Sequence, residues 1–183
     1  KNLLSLGVRD IAAYDSDRFA RRRISDEYNI PTLDDYASAL AWEPAAAIIC
    51  SPSDLHLSQA RNLLSTGSHL FIEKPLAQKW EGVSEFIQAA NQSGKVVQVG
   101  FNMRYHPAVQ IIRQLLREGA VGKPWALRTR FGHYLPQWRP GQDYRNSYSA
   151  HVDQGGGVLM DSIHEIDYLL WWGGEVKETR SFL

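Results

Sequence analysis

Over its first hundred residues the chain alternates short apolar or β-branched runs with stretches in which apolar residues recur every three or four positions. That alternation predicts repeated β-α units around a parallel sheet. The runs are Asp10 to Tyr14, Ala45 to Cys50, His69 to Ile72 and Val96 to Val99, each of strand length. Asp54 precedes Leu55, Ala60, Leu63 and Leu64, and is expected to cap a helix that stops at Gly67, where the chain needs a residue tolerant of positive φ. Val83, Phe86, Ile87 and Ala90 mark a second helix, expected from Lys79 to Asn91 with Gly94 as its stop.

After Gly100 the pattern changes. A helix is expected from Pro107 to Arg117, and the alternation from Trp125 to Phe131 predicts a half-exposed strand. Residues from His133 to Gln154 show neither period yet carry Tyr134, Trp138, Arg139, Tyr144, Arg145 and Tyr148. A loop that long is either functional or a surface excursion packed on its own domain. Lys1 to Gly7 reads as the last turns of a helix leading into a strand that ends at Asp15, and Glu175 to Leu183 reads as the opening of another strand. No Gly-x-Gly-x-x-Gly turn precedes the first run. The chain is therefore expected to be a fragment.

Composition narrows the class of partner. Lysine plus arginine and aspartate plus glutamate both number 20, so no global field favours nucleic acid or an anionic membrane, and a small molecule is the expected partner. No apolar stretch has the length of a membrane span, and the first residues lack a signal-peptide pattern. The single Cys50 lies in the apolar run Ala46-Ala47-Ile48-Ile49-Cys50, which predicts a buried thiol and a cytoplasmic protein.

Three places could carry chemistry. Asp15 ends the first run, where nucleotide-binding folds use a carboxylate to accept from ribose hydroxyls; a turn former or helix cap is the alternative. Arg18 and Arg21-Arg22-Arg23 follow, either accommodating a 2′-phosphate or forming a solvated helix face. Glu73-Lys74-Pro75 follows the third run, which puts a lysine at the carboxyl end of a parallel sheet, either facing ligand or standing in solvent. The third place is the segment from Gly155 to Trp172, glycines opening into one helix. Leu159, Ile163, Ile166 and Leu170 make its apolar stripe, and Asp161, His164 and Asp167 stack on a neighbouring face, an imidazole between two carboxylates. With Leu169, Trp171 and Trp172 the helix is apolar nearly all round and is expected to be buried. His164 is then either satisfied structurally or oriented as an acid/base. The spacing matches no zinc signature, and no Gly-x-Ser-x-Gly elbow supports a hydrolase.

Ile48-Ile49-Cys50-Ser51-Pro52 with His56, then Phe71-Ile72-Glu73-Lys74-Pro75-Leu76, then Val99-Gly100-Phe101-Asn102-Met103-Arg104-Tyr105-His106-Pro107, resemble in order and spacing the glucose-fructose oxidoreductase / inositol dehydrogenase / rhizopine catabolism (Gfo/Idh/MocA) family. The resemblance covers essentially the whole chain. It implies an α/β fold: a Rossmann-type parallel sheet, here without its first strand, over residues 1–104, followed over 105–183 by part of a mainly antiparallel α+β substrate domain. The activity implied is hydride transfer between NAD, or NADP, and a hydroxyl carbon of a sugar, cyclitol or nucleotide-sugar, in a protein that is a homo-oligomer when whole.

By the same resemblance Lys74 is the active-site lysine and His164 the substrate-side acid/base, with Asp161 nearest the family's aspartate. The family commonly places three residues between that aspartate and histidine, whereas only Ser162 and Ile163 stand between them here. Ser51, Pro52 and His56 are expected on the nicotinamide side beside Glu73, Asp15 at the adenosine ribose, and Asn102 with Arg104 at the junction of cofactor and substrate. Tyr134, Trp138, Tyr144 and Arg145 lie in a stretch similar to members acting on surface-polysaccharide or nucleotide-sugar precursors, where they would bind substrate. Two alternatives stay open: an NAD-dependent glycosidase or epimerising enzyme that oxidises transiently, and a non-catalytic sensor of the same fold.

Overall fold

A computed structural model gives the architecture and describes residues 1–182. The first helix, α1 (Asn2–Ser5), ends before Gly7 at φ 85°. Asp17 caps α2 (Arg18–Tyr28) by accepting from the Phe19 amide, and Asn29 closes it in the left-handed region. Asp35 caps α3 (Tyr36–Ala41) by accepting from the Ser38 amide. Then follow β1 (Ala46–Ile49), α4 (Ser53–Ser65), β2 (His69–Ile72), α5 (Val83–Ser93) and β3 (Val97–Val99). Beyond a 3₁₀ turn at Asn102–Tyr105 come α6 (Pro107–Arg117), α7 (Leu135–Trp138), α8 (Val158–Asp161) and α9 (Ile163–Gly173).

The strands form a parallel sheet in the order β1-β2-β3, with Ile49 opposite Ile72 and Ile72 opposite Val99. Parallel neighbours need a crossover, which α4 and α5 supply. Their apolar faces meet the sheet in a core of Ile49, Ala60, Leu63, Leu64, Leu70, Ile72 and Phe86. Burying a side chain such as Ile72 or Phe86 contributes about 1.5–3 kcal/mol, so this β-α-β-α-β unit is the best-packed part of the chain. Its three carboxyl ends lie side by side and aim the segments after Ile49, Ile72 and Val99 at one edge.

The parallel sheet expected from the alternation is present, as the resemblance to a Rossmann-type domain also implies, and α6 spans the expected residues. Several local expectations are corrected. Asp10 to Tyr14 is not a strand: a single parallel bridge joins Ala13 to Thr32, and a lone bridge is too little ladder to propagate. The helix after β1 starts at Ser53 with Pro52 as its cap, so Asp54 sits inside the first turn rather than ahead of it. The expected start at Lys79 moves to Val83 because Gly82 adopts φ 78°. Trp125 to Phe131 and Glu175 to Phe182 pair with nothing among the described residues, and alternation alone does not make a strand; Leu183 lies outside those residues. The 133–154 stretch is built from α7 and three 3₁₀ turns at 144–146, 148–150 and 152–154. Cys50, expected buried, is exposed just past the end of β1. No described helix is long and apolar enough to cross a membrane.

The glycine-rich helix departs most. It breaks at Ser162, at φ −103° and ψ 30°, into α8 and α9. Its stripe is not buried either: Leu159, Ile166 and Leu170 are 63%, 43% and 44% exposed.

Candidate active site

The carboxyl ends of β1 and β2 open onto a cleft of about 210 Å³. Ser51, Pro52 and Ser53 line one wall, Glu73 and Lys74 the next, and Tyr148, Gly155, Met160 and Asp161 the side opposite. Ligands of open parallel α/β sheets bind at this edge. The Lys74 ammonium crosses the cleft and donates from Nζ to the main-chain carbonyl of Asp161, 2.8 Å away. Behind it the Lys74 amide donates to its neighbour Glu73, at 3.2 Å.

The wall carried by residues 148–161 is fitted closely to the sheet side. Ser53 Oγ donates to the Gln154 carbonyl at 3.3 Å and accepts from Gln78 Nε2 at 3.2 Å. A Cβ at Gly155 would collide with Ser53 Oγ, and one at Gly156 with the main chain of Tyr148 and Ser149. Gly155 also adopts φ 85°, so here glycine serves both conformation and close approach.

Asp161, His164 and Asp167 do not form a stacked row. The buried Asp161 carboxylate accepts from Ser149 Oγ at 3.3 Å. Asp167 takes a bidentate pair from Arg104, whose Nε and one terminal amine donate at 2.8 and 2.6 Å. His164 stands edge-on to Phe101, ring centroids 6.3 Å apart, and its buried Nδ1 has no partner among the described residues. Burial first, and the nearby Lys74 charge second, hold His164 below the usual histidine range, outweighing Glu165, Asp167 and Glu73, which pull the other way. The imidazole is therefore neutral and competent to accept a proton. Burial and then Glu73 push the Cys50 thiol up, so although the residue is exposed the sulfur is not an activated nucleophile.

The remaining expected residues divide. His56 is 1% exposed, forming the floor behind the cleft; its Nδ1 lies 2.7 Å from the Pro75 carbonyl oxygen and its Nε2 2.8 Å from that of Ser51. Arg104 sits between Phe101 and Trp171, 5.7 and 5.3 Å from the ring centroids, and is engaged by Asp167 rather than presented to the cleft. Asn102 is exposed in the 3₁₀ turn. Asp15 accepts from the Asp17 amide at 2.9 Å, the geometry of a turn former, while Arg21 donates to the Asp15 carbonyl. Trp138 and Tyr144 line a separate small hollow with Arg139, Tyr134 is 67% exposed, and Arg145 pairs with Asp143 in solvent, so none of the four substrate-loop residues reaches the cleft. Tyr148 and Ser53 do line the cleft, and Gln78 supports it by donating to Ser53. Tyr148 was visible as one aromatic of the long loop, and nothing in the sequence pattern marks Gln78.

A parallel α/β sheet with a cleft and a lysine at the carboxyl ends of its strands is the arrangement of nucleotide-binding folds. The profile of the oxidoreductase family with an NAD-binding Rossmann fold matches residues 7–101, and that of the GFO/IDH/MocA C-terminal domain matches residues 109–183. The chain belongs to the Gfo/Idh/MocA oxidoreductase family. It is 33% identical over 136 residues to the uncharacterized oxidoreductase YrbE of Bacillus subtilis, covering 73% of this chain and 37% of that one. Myo-inositol 2-dehydrogenase of Lactobacillus plantarum superposes with a TM-score of 0.79 at 24% identity, over 91% of this chain and 49% of that one. The WlbA dehydrogenase of Chromobacterium violaceum, crystallised with NADH and UDP-GlcNAcA, gives 0.71 at 25%, over 88% and 47%. The chain thus spans half or less of the length of each.

Proposed function

We propose that the protein is an NAD-dependent oxidoreductase that moves a hydride between the nicotinamide and a hydroxyl-bearing carbon of a sugar, cyclitol or nucleotide-sugar. The observation that carries this reading is the Lys74 ammonium reaching across the cleft at the ligand edge of the sheet to the Asp161 carbonyl, with His164 three residues further on and its buried Nδ1 unpartnered among the described residues. Family membership, and a relative crystallised with NADH and a nucleotide-sugar, support the cofactor and the substrate class.

The residues present suit the nicotinamide end of a dinucleotide. The cleft lies where open α/β sheets take ligands, and Ser51, Pro52 and Glu73 surround it. Asp15 remains the ribose-binding candidate, through the part of its carboxylate not given to Asp17. When bound, the nicotinamide supplies the acceptor for the hydride that leaves the carbinol carbon. We assign the hydroxyl proton to His164, whose buried Nδ1 has no hydrogen-bond partner among the described residues. Lys74 stabilises the oxygen as it loses that proton, and its bond to the Asp161 carbonyl fixes the reach of the side chain.

In the complete gene product, Lys74→Ala is expected to reduce hydride transfer at least about a hundredfold while NAD affinity changes less, since acid/base groups supply about 10²–10⁴ in rate. Steady-state NADH formation with a sugar panel, set beside calorimetric NAD titration, measures both. Near-normal turnover refutes the role. Sugar bond cleavage without net NADH would replace the dehydrogenase with the glycosidase alternative.

A further inference from the structure

We propose that His56 is a positioning residue that tethers the loop carrying Lys74, and that it is not a cofactor contact. The inference rests on the dehydrogenase reading for its kinetic arm only. The β1-β2 ladder ends where the Glu73 amide donates to the Ile49 carbonyl at 2.8 Å, and on the other side of β2 the Gly100 amide donates to Ile72. Past that point the sheet no longer holds the chain. Lys74 is the next residue, and immediately after it the Pro75 carbonyl meets His56 Nδ1. The lysine therefore lies between two anchors, the end of the ladder and the imidazole.

The second ring nitrogen reaches the Ser51 carbonyl, in the loop that follows β1. A neutral imidazole carries one N–H; in the tautomer with that proton on Nδ1 the ring donates to Pro75 and packs its Nε2 edge against the Ser51 carbonyl, so one side chain from the first turns of α4 holds the loop after β2 where ladder hydrogen bonds no longer do. With both nitrogens against main-chain carbonyls and 1% of its surface exposed, the ring has no polar edge left for a cofactor. What it sets is the main-chain position from which Lys74 reaches the Asp161 carbonyl, and small displacements of an acid/base group cost rate steeply.

The two nitrogens can be tested separately, because an asparagine amide approximates Nδ1 and a glutamine amide Nε2. In the complete gene product, His56→Asn keeps a donor for Pro75 and is expected to retain kcat within about tenfold. His56→Gln keeps only the Ser51 side and is expected to lose about a hundredfold. Calorimetric NAD Kd should stay within about threefold in both. A tenfold weaker NAD Kd with kcat intact overturns the proposal, as do equal losses in the two variants. Should neither variant fold, the unsubstituted protein decides. A His56 ring N–H in slow solvent exchange whose resonance is unmoved by saturating NAD supports the tether, and fast exchange or a large shift on NAD addition overturns it. A protein that oxidises no sugar with NAD would remove the functional reading, while the ring N–H result would still decide the tether.

Discussion

Arg104→Ala should loosen the joint between the 3₁₀ turn after the sheet and α9, and its size can be worked from the geometry. The substitution deletes two charge-assisted hydrogen bonds of 2.8 and 2.6 Å and leaves the Asp167 carboxylate, 8% exposed, without its cation. Stripping the partner from a fully buried carboxylate costs about 3–5 kcal/mol. The Arg104 side chain is itself 40% exposed, so water can reach the carboxylate from that side, and screening reduces the figure to about 2 kcal/mol. Lost stacking on Phe101 and Trp171 adds roughly 0.5 kcal/mol, while Arg113 keeps its own place over Trp171, 3.7 Å from the ring centroid. Guanidinium unfolding of the complete gene product, of Arg104→Ala, of Asp167→Ala and of the double variant closes a cycle in which a coupling of about 1–2 kcal/mol is expected. Kinetics give a second readout: freed of Arg104, the Asp167 charge acts fully on His164 and raises its proton affinity, so the acid limb of the kcat/KM profile should move to higher pH. Additive single effects together with an unmoved acid limb would refute the joint.

Asp15→Ala should shift the ratio of catalytic efficiencies from NAD towards NADP, because a carboxylate at the ribose repels a 2′-phosphate; an unchanged ratio in steady-state kinetics would show that Asp15 only forms its turn. His164 is held below its unfolded value, so the stability of its neutral buried form is complete above about pH 6.5 and is lost as pH falls through the lower folded value. His164→Phe should therefore flatten the acid-side loss of stability in pH-dependent unfolding, and a parallel curve would count against it. Gly156→Ala should destabilise by about 1–3 kcal/mol through overlap with the Tyr148 and Ser149 main chain, read as a lower Tm, and an unchanged Tm would mean that this wall yields easily.

The parts of the fold that were legible are those whose partners lie close in sequence. β1, β2 and β3 each adjoin a crossover helix, so apolar runs and helical stripes were sufficient, and α6 announces itself with Pro107 and a strong apolar face. Asp10 to Tyr14 and Trp125 to Phe131 have the residue pattern of strands, but pattern sets only which face a strand would bury and supplies no neighbour to pair with. Lys74 was legible because a strand end fixes its place. The Arg104–Asp167 pair was not, since a separation of 63 residues leaves no local trace, and both groups were assigned other work.

The misread row on the glycine-rich helix explains the chemistry better than the row would have. Three polar residues at spacing three share a face only while the helix is continuous, and the break at Ser162 turns Asp161 away from His164. Asp161 then serves the opposite wall, taking Ser149 on its carboxylate and Lys74 on its carbonyl, while Asp167 is neutralised by Arg104. Neither carboxylate is left to hydrogen-bond the imidazole. Two flanking carboxylates would have favoured imidazolium and made His164 an acid at rest. With those carboxylates engaged elsewhere, burial and the Lys74 charge decide the balance and leave a neutral ring. Under the proposed dehydrogenase reading, a neutral ring can take a proton from a hydroxyl whose carbon is giving up a hydride, so oxidation of an alcohol is the direction in which this protonation state would start.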